Sequence, residues 1–493
     1  MKILTGEYIR GADRATIERE PVESLALMER AAEVLAQAIA ERVEQGSELV
    51  FFVGKGNNGG DGLAVARMLS QVGYYCTAIM AGGTEMLSDD CRANFERLPA
   101  AVKIASDSFE ISDDAIIIDA MLGSGVDGEV RGPIADAIAC INDLPNRVIA
   151  IDVPSGMRTE FGNDPCRIVH ADTTLTIQFP KLAMMLPEAG DCCGEIVVLS
   201  IELDQEYLEN APSPYYCTGL EDVAEMVAPL RKFAHKGDLG HALLVCGSQG
   251  MAGAAILSTC AALRSGCGLV TTHLPATEAF ALHASAPSAM VSIDSASCFS
   301  QVPDEIDKYS AVGVGCGLDQ RSETVEALRS LFSTCRKPMA IDADALNIIA
   351  LDHELRELIP IGSILTPHPG EFRRLVGNWS GEAEKLQKLQ EFATASECVI
   401  VLKGAHTAVC VPDGRIFFNM TGTPGMAKGG SGDILTGLLS GLLAQGYPAE
   451  AAARIGVWLH GRAGEKAADY FGPRGMNSAD MIDFLPEAWT EIG

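Results

Sequence analysis

Positive charge is scarce in this sequence. Lysine and arginine total 37 of 493 residues against 66 aspartates and glutamates, a formal net charge of -29. That excludes a nucleic-acid partner, which needs a basic footprint. An anionic ligand must then be held by backbone N–H groups and a few local cations, because the global field repels it and salt screens much of that field. No apolar run approaches the ~20 residues of a membrane span, and Met1-Lys2-Ile3-Leu4-Thr5 opens no signal-peptide core. A soluble cytoplasmic protein with no membrane partner is expected. The 15 cysteines contain no C-x-x-C pair. Several sit inside apolar runs such as Leu244-Val245-Cys246 and read as small buried hydrophobes in a reducing compartment. Cys192-Cys193 is a vicinal pair, for which redox activity is the other reading.

Hydrophobic residues make up 47% and charged residues 21%, a globular composition. The length suggests two to three domains. The 50 glycines fit an α/β protein with many tight strand-to-helix loops. Short apolar runs alternate with amphipathic helices, as in parallel sheets with crossover helices. The pattern appears twice. In the first stretch a helix is expected over Leu25–Glu44, a strand over Leu49–Val53, a glycine loop over Gly54–Gly60 and a helix over Leu63–Val72. Two further strands, Ala115–Asp119 and Val148–Asp152, each end in an aspartate, at the edge where open α/β sheets bind ligands. The second stretch starts at His241–Cys246 and continues with Ala311–Val314, Met339–Asp342, Ser363–Leu365 and Val399–Leu402, then a long helical region from Gly432. The polar segment Leu203–Glu221, carrying Ala211-Pro212-Ser213-Pro214, is the expected connection. It predicts domains of residues 1–215 and 216–493.

Gly54-Lys55-Gly56-Asn57-Asn58-Gly59-Gly60-Asp61-Gly62 lies between a strand and a helix. Glycines let the backbone approach a ligand, and a helix N-terminus favours anions. Asn-Gly pairs also make ordinary turns. Two other loops reach the same edge: Asp119-Ala120-Met121-Leu122-Gly123-Ser124-Gly125-Val126-Asp127-Gly128-Glu129 and Asp152-Val153-Pro154-Ser155-Gly156. Oxygens from Asn58, Asp119 and Ser155 combine one carboxylate with neutral donors, which suits a monovalent cation better than Mg²⁺. Asp152 is left as an acid/base, or as the cap of the next helix.

In the other half, Ala427-Lys428-Gly429-Gly430-Ser431-Gly432-Asp433 precedes the apolar run Ile434–Leu443. Glycine amides at a helix N-terminus cradle phosphate oxygens, and Asp433 is placed to take a proton from an attacking hydroxyl. This is not a Walker A loop. Lys403-Gly404-Ala405-His406-Thr407 follows a strand and is suited to gripping phosphates. Asn347 and Glu371 are candidates to hold a metal or water. Thr366-Pro367-His368-Pro369-Gly370-Glu371 is a rigid loop that presents His368.

The three N-terminal motifs together resemble the NAD(P)H-hydrate epimerase family over about residues 1–215. The resemblance implies a Rossmann-like three-layer αβα domain. It implies substrate contacts at Asn57, Asn58, Gly59, Gly60, Asp61, Gly123, Ser124, Gly125, Val126, Asp127, Gly128, Glu129 and Asp152, and potassium at Asn58, Asp119 and Ser155. From about residue 225, His235-Lys236-Gly237-Asp238-Leu239-Gly240-His241, Asp342–Asn347, Thr366–Glu371, Lys403–Thr407 and Gly425–Gly437 look like NAD(P)H-hydrate dehydratase, a ribokinase-like αβα fold. That implies substrate contacts at Gly253, Gly317, His368 and Asp433, and nucleotide contacts at Lys403, Gly404, Ala405, His406, Thr407 and Gly432. Gly315-Cys316-Gly317-Leu318-Asp319 departs from the family's more usual Gly-Pro-Gly-Leu-Gly.

The two resemblances imply one function: repair of hydrated NADH and NADPH. Asp152 would serve interconversion of the R and S hydrates. Asp433 would start a nucleotide-dependent dehydration that Mg²⁺ assists. The motifs fit ADP or ATP, and the fusion of both halves points to ADP as donor, with AMP and phosphate released. Small-molecule partners and a homo-oligomer are expected. The competing reading is a ribokinase-like small-molecule kinase fused to a non-catalytic nucleotide-binding domain.

Overall fold

The computed structural model describes residues 1–105, 109–126 and 128–493. Asp127, one of the expected substrate contacts, lies outside the described residues. The chain divides into two units, Lys2–Tyr215 and Tyr216–Gly493, with Met1 counted in the second.

The first unit is built on seven strands: β1 (Glu48–Val53), β2 (Tyr75–Met80), β3 (Lys103–Ala105), β4 (Ile116–Ala120), β5 (Val148–Ile151), β6 (Thr173–Ile177) and β7 (Glu195–Leu199). Their order is β3-β2-β1-β4-β5-β6-β7, with every neighbouring pair parallel. Parallel strands are covered on both faces and read as continuous apolar runs. In β1, Leu49, Phe51 and Val53 enter one core with the helices Ser24–Ala40 and Asn57–Gln71. Val50 and Phe52 enter a second core on the other face, with Ile138 and Ile141 of the helix Pro133–Asp143. The result is three layers, αβα. The chain leaves β1 in one direction and resumes at β4 in the other, so the crevice beyond the C-terminal ends of β1 and β4 is the topological switch point.

The Gly54–Gly60 segment is not wholly a loop. The following helix already starts at Asn57. It can do so because Gly59 and Gly60 carry no side chain. A Cβ at Gly59 would lie 2.1 Å from the Gly54 carbonyl oxygen, and one at Gly60 2.8 Å from Met28 Sδ. The strand before Asp152 ends at Ile151, where Asp152 turns into the left-handed region at φ 66°.

The second unit has ten strands: β8 (Tyr215–Thr218), β9 (His241–Val245), β10 (Leu269–Pro275), β11 (Met290–Asp294), β12 (Ala311–Val314), β13 (Met339–Ile341), β14 (Ile364–Leu365), β15 (Val399–Leu402), β16 (Ala408–Cys410) and β17 (Ile416–Asn419). Their order is β11-β10-β9-β12-β13-β14-β15-β16-β17-β8. The strands from β11 to β15 are parallel, and β15, β16 and β17 form an antiparallel meander. A switch point falls between β9 and β12. The helix Ser431–Ala444 is almost wholly buried and lies tightly on the helix Ala252–Arg264. A Cβ at Gly437 would sit 2.1 Å from the Ser258 carbonyl oxygen, and one at Gly441 1.9 Å from Ser265 Oγ.

Two expectations gain detail. The helical region after Gly432 is three helices, Ser431–Ala444, Ala449–Phe471 and Ser478–Thr490. Gly446 at φ 90° and Pro448 break the first junction; Gly472 at φ 76° and the Asn477 cap form the second. Leu203–Glu221 holds the division between the two units, at Tyr215/Tyr216, and is itself structured. It contains the helix Gln205–Asn210, capped by Asp204 accepting from the Tyr207 N–H at 2.7 Å, and strand β8.

Candidate functional sites

In the first unit, the loops after β1, β4 and β5 meet at the switch point. Asp119, at the end of β4, is fully buried. Its carboxylate accepts from Ser155 Oγ at 2.5 Å, Ser155 N–H at 2.7 Å and Met121 N–H at 3.2 Å. Burial raises its pKa to about 6 against these bonds, and no cation among the described residues opposes the rise. Asn58 stands on the first turn of the helix after β1, packed against Gly123, and its buried Nδ2 has no hydrogen-bond partner. The donor set is one carboxylate with neutral oxygens. Among the described residues no cluster of three or more His, Cys, Asp or Glu has a metal-binding arrangement.

Asp152 is held in place. Its Oδ1 accepts from Lys181 Nζ at 2.6 Å and its Oδ2 from the Ser124 N–H at 3.2 Å. The Lys181 ammonium is buried and also donates to Thr176 Oγ1 at 2.9 Å and to the carbonyls of Ile177 at 3.1 Å and Phe179 at 3.2 Å. Both residues line a cavity of about 680 Å³, in the range that encloses small-molecule ligands. Of the expected contacts, Asn57, Asn58, Asp61, Gly123, Ser124, Gly125, Val126, Gly128, Glu129 and Asp152 stand on its wall. Gly59 and Gly60 do not; their work is the close helix packing already described. Asp61 also faces the cavity. Burial, with Asp152 and Asp13 adding to it, pushes its carboxyl well above the usual range.

Lys181 and Asp13 were not apparent in the sequence. Lys181 has one sequence signal, a lysine four residues past the end of β6 in a chain poor in cations. Asp13 has none, because it lies on the helix Gly6–Arg19, far from every glycine motif.

In the second unit, Asp433 lies in the first turn of the helix Ser431–Ala444, beyond Gly430 at φ 95°. Burial raises its pKa; the Cys316 thiol opposes this by hydrogen bonding, Asp342 adds to it, and Lys403 opposes it. Lys403 Nζ donates to Asp342 Oδ1 at 2.8 Å, and Thr436 Oγ1 donates to Asp342 Oδ2 at 3.1 Å. A Cβ at Gly432 would lie 3.2 Å from Asp342 Oδ2 and 3.4 Å from Lys403 Nζ, so the glycine turn rests against this pair. Burial disfavours the Lys403 charge, but Asp342 and Glu371 more than offset it and hold its pKa up. Ser431 Oγ lies 3.2 Å from His460 Nε2. Burial takes the His460 pKa down to about 4, so this ring is neutral at ordinary pH.

His368 caps the helix Pro369–Val376. Its Nδ1 accepts from the Gly370 N–H at 2.9 Å, and its Nε2 lies 3.5 Å from Glu371 Oε1. Glu371 returns a bond by accepting from the His368 N–H at 2.8 Å. Gly317 lies against the start of the Ala252–Arg264 helix, where a Cβ would meet Ala254 Cβ at 3.0 Å, and Gly253 on that helix faces open space. The Lys403–Thr407 segment is the turn between β15 and β16. His406 Nδ1 lies 3.2 Å from the Asn419 carbonyl oxygen, and Thr407 Oγ1 closes onto Gly404. Gly404 and Ala405 are exposed. Asn347 Oδ1 accepts from Arg374 at 2.7 Å.

The family model described as "NAD(P)H-hydrate dehydratase" matches residues 242–487, and that described as "YjeF-related protein N-terminus" matches residues 24–183. Among curated proteins, the bifunctional NAD(P)H-hydrate repair enzyme of Moorella thermoacetica is 32% identical over 99% of this chain and 96% of its own length. The enzyme of the same name from Escherichia coli is 32% identical over 95% and 91%. A ribokinase-like superfamily protein of Enterococcus faecalis aligns with a TM-score of 0.50 at 24% identity, covering 57% of this chain and 97% of that one. That last likeness is one of fold.

Proposed function

This chain belongs to the bifunctional NAD(P)H-hydrate repair enzymes, and we propose that Lys2–Tyr215 carries the epimerase and Tyr216–Gly493 the nucleotide-dependent dehydratase. In a hydrated nicotinamide, the hydroxyl sits on the ring carbon next to nitrogen. The nitrogen lone pair expels it, leaving an iminium ion that water re-attacks from either face. Asp152 is the acid/base for this exchange, with Lys181 fixing its carboxylate at the cavity wall. The glycine loops after β1 and β4 shape the pocket for the substrate.

Asp119, Ser155 and Asn58 are suited to hold potassium. A buried carboxylate with no cation among the described residues to offset it wants a counter-charge, and turning the Asn58 amide over would put its oxygen where an unpartnered nitrogen now sits. Bound there, the ion would supply a fixed positive charge under the loop that carries Gly123 and Ser124.

In the second unit, Asp433 deprotonates the substrate hydroxyl, which attacks the terminal phosphoryl of the nucleotide. The ring nitrogen then expels phosphate and NAD(P)H is restored. A raised pKa brings the carboxylate nearer the operating pH, where general bases are most effective. The Gly429–Gly432 amides receive developing phosphoryl charge, helped by the helix N-terminus. Lys403 adds a cation kept in place by Asp342. Mg²⁺ would enter on the nucleotide phosphates and neutralise part of their charge. ADP is the donor we favour.

The observation that carries this reading is the placement of Asp433 at the mouth of a glycine-bounded helix N-terminus, against the Lys403–Asp342 pair. Its test is Asp433→Asn, which should abolish nucleotide-dependent recovery of reduced nicotinamide and leave R/S interconversion intact. Survival of recovery would remove Asp433 as the base.

A further inference from the structure

Epimerisation makes a stereochemical demand that one carboxylate does not meet. The hydroxyl leaves from one face of the ring and water returns on the other. A proton must therefore be delivered on one face and removed on the opposite one. Asp152 is tethered through both oxygens, to Lys181 Nζ and to the Ser124 N–H. It serves one face.

The helix Gly6–Arg19 brings Asp13 to the wall of the same cavity, among the apolar side chains of Ile9, Ile17 and Leu27. Among the described residues, no side chain or backbone N–H hydrogen-bonds or ion-pairs with its carboxylate. Asp13 is exposed where it borders the cavity, so its carboxylate is solvated there and a ligand in the cavity can reach it by displacing that water. Although the residue is exposed, desolvation by the helices packed around it raises its pKa to about 6, with Asp152 adding to the rise and Lys181 opposing it. Near neutrality Asp13 therefore holds a proton for part of the time. The other charged groups on the lining are Asp61, Glu129, Arg10 and Arg131.

Resting on the epimerase reading above, we propose that Asp13 is the second acid/base of the first unit, acting on the ring face opposite the Asp152–Lys181 pair. Protonated Asp13 gives its proton to the departing hydroxyl as the C–O bond breaks and the nitrogen lone pair forms the C=N bond. The products are water, the iminium ion and the Asp13 carboxylate. Water then adds on the other face, its oxygen forming the new C–O bond, the C=N electrons returning to nitrogen, and its proton going to the Asp152 carboxylate. One proton has crossed from Asp13 to Asp152, and exchange with cavity water resets both. The reverse reaction exchanges their roles.

The test follows R/S interconversion by the purified full chain across pH. Wild type interconverts the two hydrates, with one limb of its pH profile set by Asp13. Asp13→Asn should lower kcat of interconversion by ~10²–10⁴-fold, the usual range for losing a general acid. It should also remove that limb and leave dehydration of the S hydrate unchanged. Asp13→Glu should retain interconversion with the limb displaced, and it carries the test if the asparagine variant does not fold. An Asp13→Asn enzyme with wild-type kcat and wild-type pH profile would overturn the proposal. A wild type that does not interconvert the hydrates would remove the epimerase reading itself, which distinguishes the two failures.

Discussion

Replacing Lys181 with methionine tests how the first site holds its carboxylate. The Lys181 side chain is 2% exposed and that of Asp152 12%. The ammonium has four acceptors within hydrogen-bond distance of its three N–H groups, the nearest Asp152 Oδ1 at 2.6 Å. Methionine keeps the volume and removes the charge. Breaking a buried pair by removing one partner costs ~3–5 kcal/mol, because the other charge is left uncompensated. Asp152 borders the cavity, so water relieves part of that cost, and about 3 kcal/mol is expected. At ~1.4 kcal/mol per decade this is a hundredfold change in the folding equilibrium. Adding Asp152→Asn should recover much of it, a coupling of ~1–3 kcal/mol. The assay is urea unfolding of the full chain. Trp379, Trp458 and Trp489, all the tryptophans of the chain, lie in the second unit, so fluorescence reports that unit and circular dichroism both. Only the transition without a fluorescence change should move. A loss under ~1 kcal/mol, typical of an exposed pair, together with an unaltered pH profile of interconversion, would refute the view that Lys181 fixes Asp152.

Ser155→Ala removes the hydroxyl that bonds Asp119 and the Leu122 N–H. It should raise the potassium concentration needed for half-maximal interconversion by at least ~10-fold, read by titration against sodium. An unchanged requirement would exclude Ser155 from the ion's site. His460 has its pKa depressed to about 4 by burial. The unfolded chain, at about 6.5, binds this proton first, so the stability contributed by the neutral ring is present above about 6.5. It falls as pH drops towards 4, by up to ~3 kcal/mol and less where water reaches the ring. Tryptophan-monitored unfolding should follow that slope, and His460→Asn should flatten it. Gly437→Ala would gain ~1 kcal/mol in helix propensity. Its Cβ, however, would meet the Ser258 carbonyl oxygen at 2.1 Å. A net loss of ~1–3 kcal/mol is expected, with a further fall in dehydratase rate as the Asp433 turn shifts. Stabilisation would contradict the close helix contact.

Much of the fold was legible because parallel strands buried on both faces carry unbroken apolar runs, as β1, β4, β5, β9 and β15 do. Two of the strands that went unread, β6 and β10, carry buried polar residues. In β6, Thr174 and Thr176 are fully buried, and Thr174 Oγ1 donates to the Cys193 carbonyl at 2.7 Å. In β10, Thr272 bonds Thr259 at 2.6 Å and His273 bonds Asp294 at 3.1 Å. Partners distant in sequence make such residues good core members, and no local pattern announces them. The sites divide in the same way. Asp119, Asp152 and Asp433 were visible because each stands at a strand end or a glycine turn. Lys181 and Asp13 reach the cavity from an irregular segment and a separate helix, so only the folded chain brings them to Asp152. The Gly59–Gly60 pair was read as ligand backbone, and the folded chain adds close helix packing as a reason for its lack of side chains.

The most direct measurement gives the purified full chain separated R and S hydrates of NADH, with ADP and ATP in parallel. It follows the absorbance of reduced nicotinamide and the released phosphate. Wild type should restore NADH from both hydrates with stoichiometric phosphate. Asp152→Asn should process S and strand R, once spontaneous interconversion is shown to be slow, and Asp433→Asn should interconvert the two and restore neither. A stable phosphorylated product, or equal turnover of both hydrates by Asp152→Asn, would contradict the division of labour between the two units.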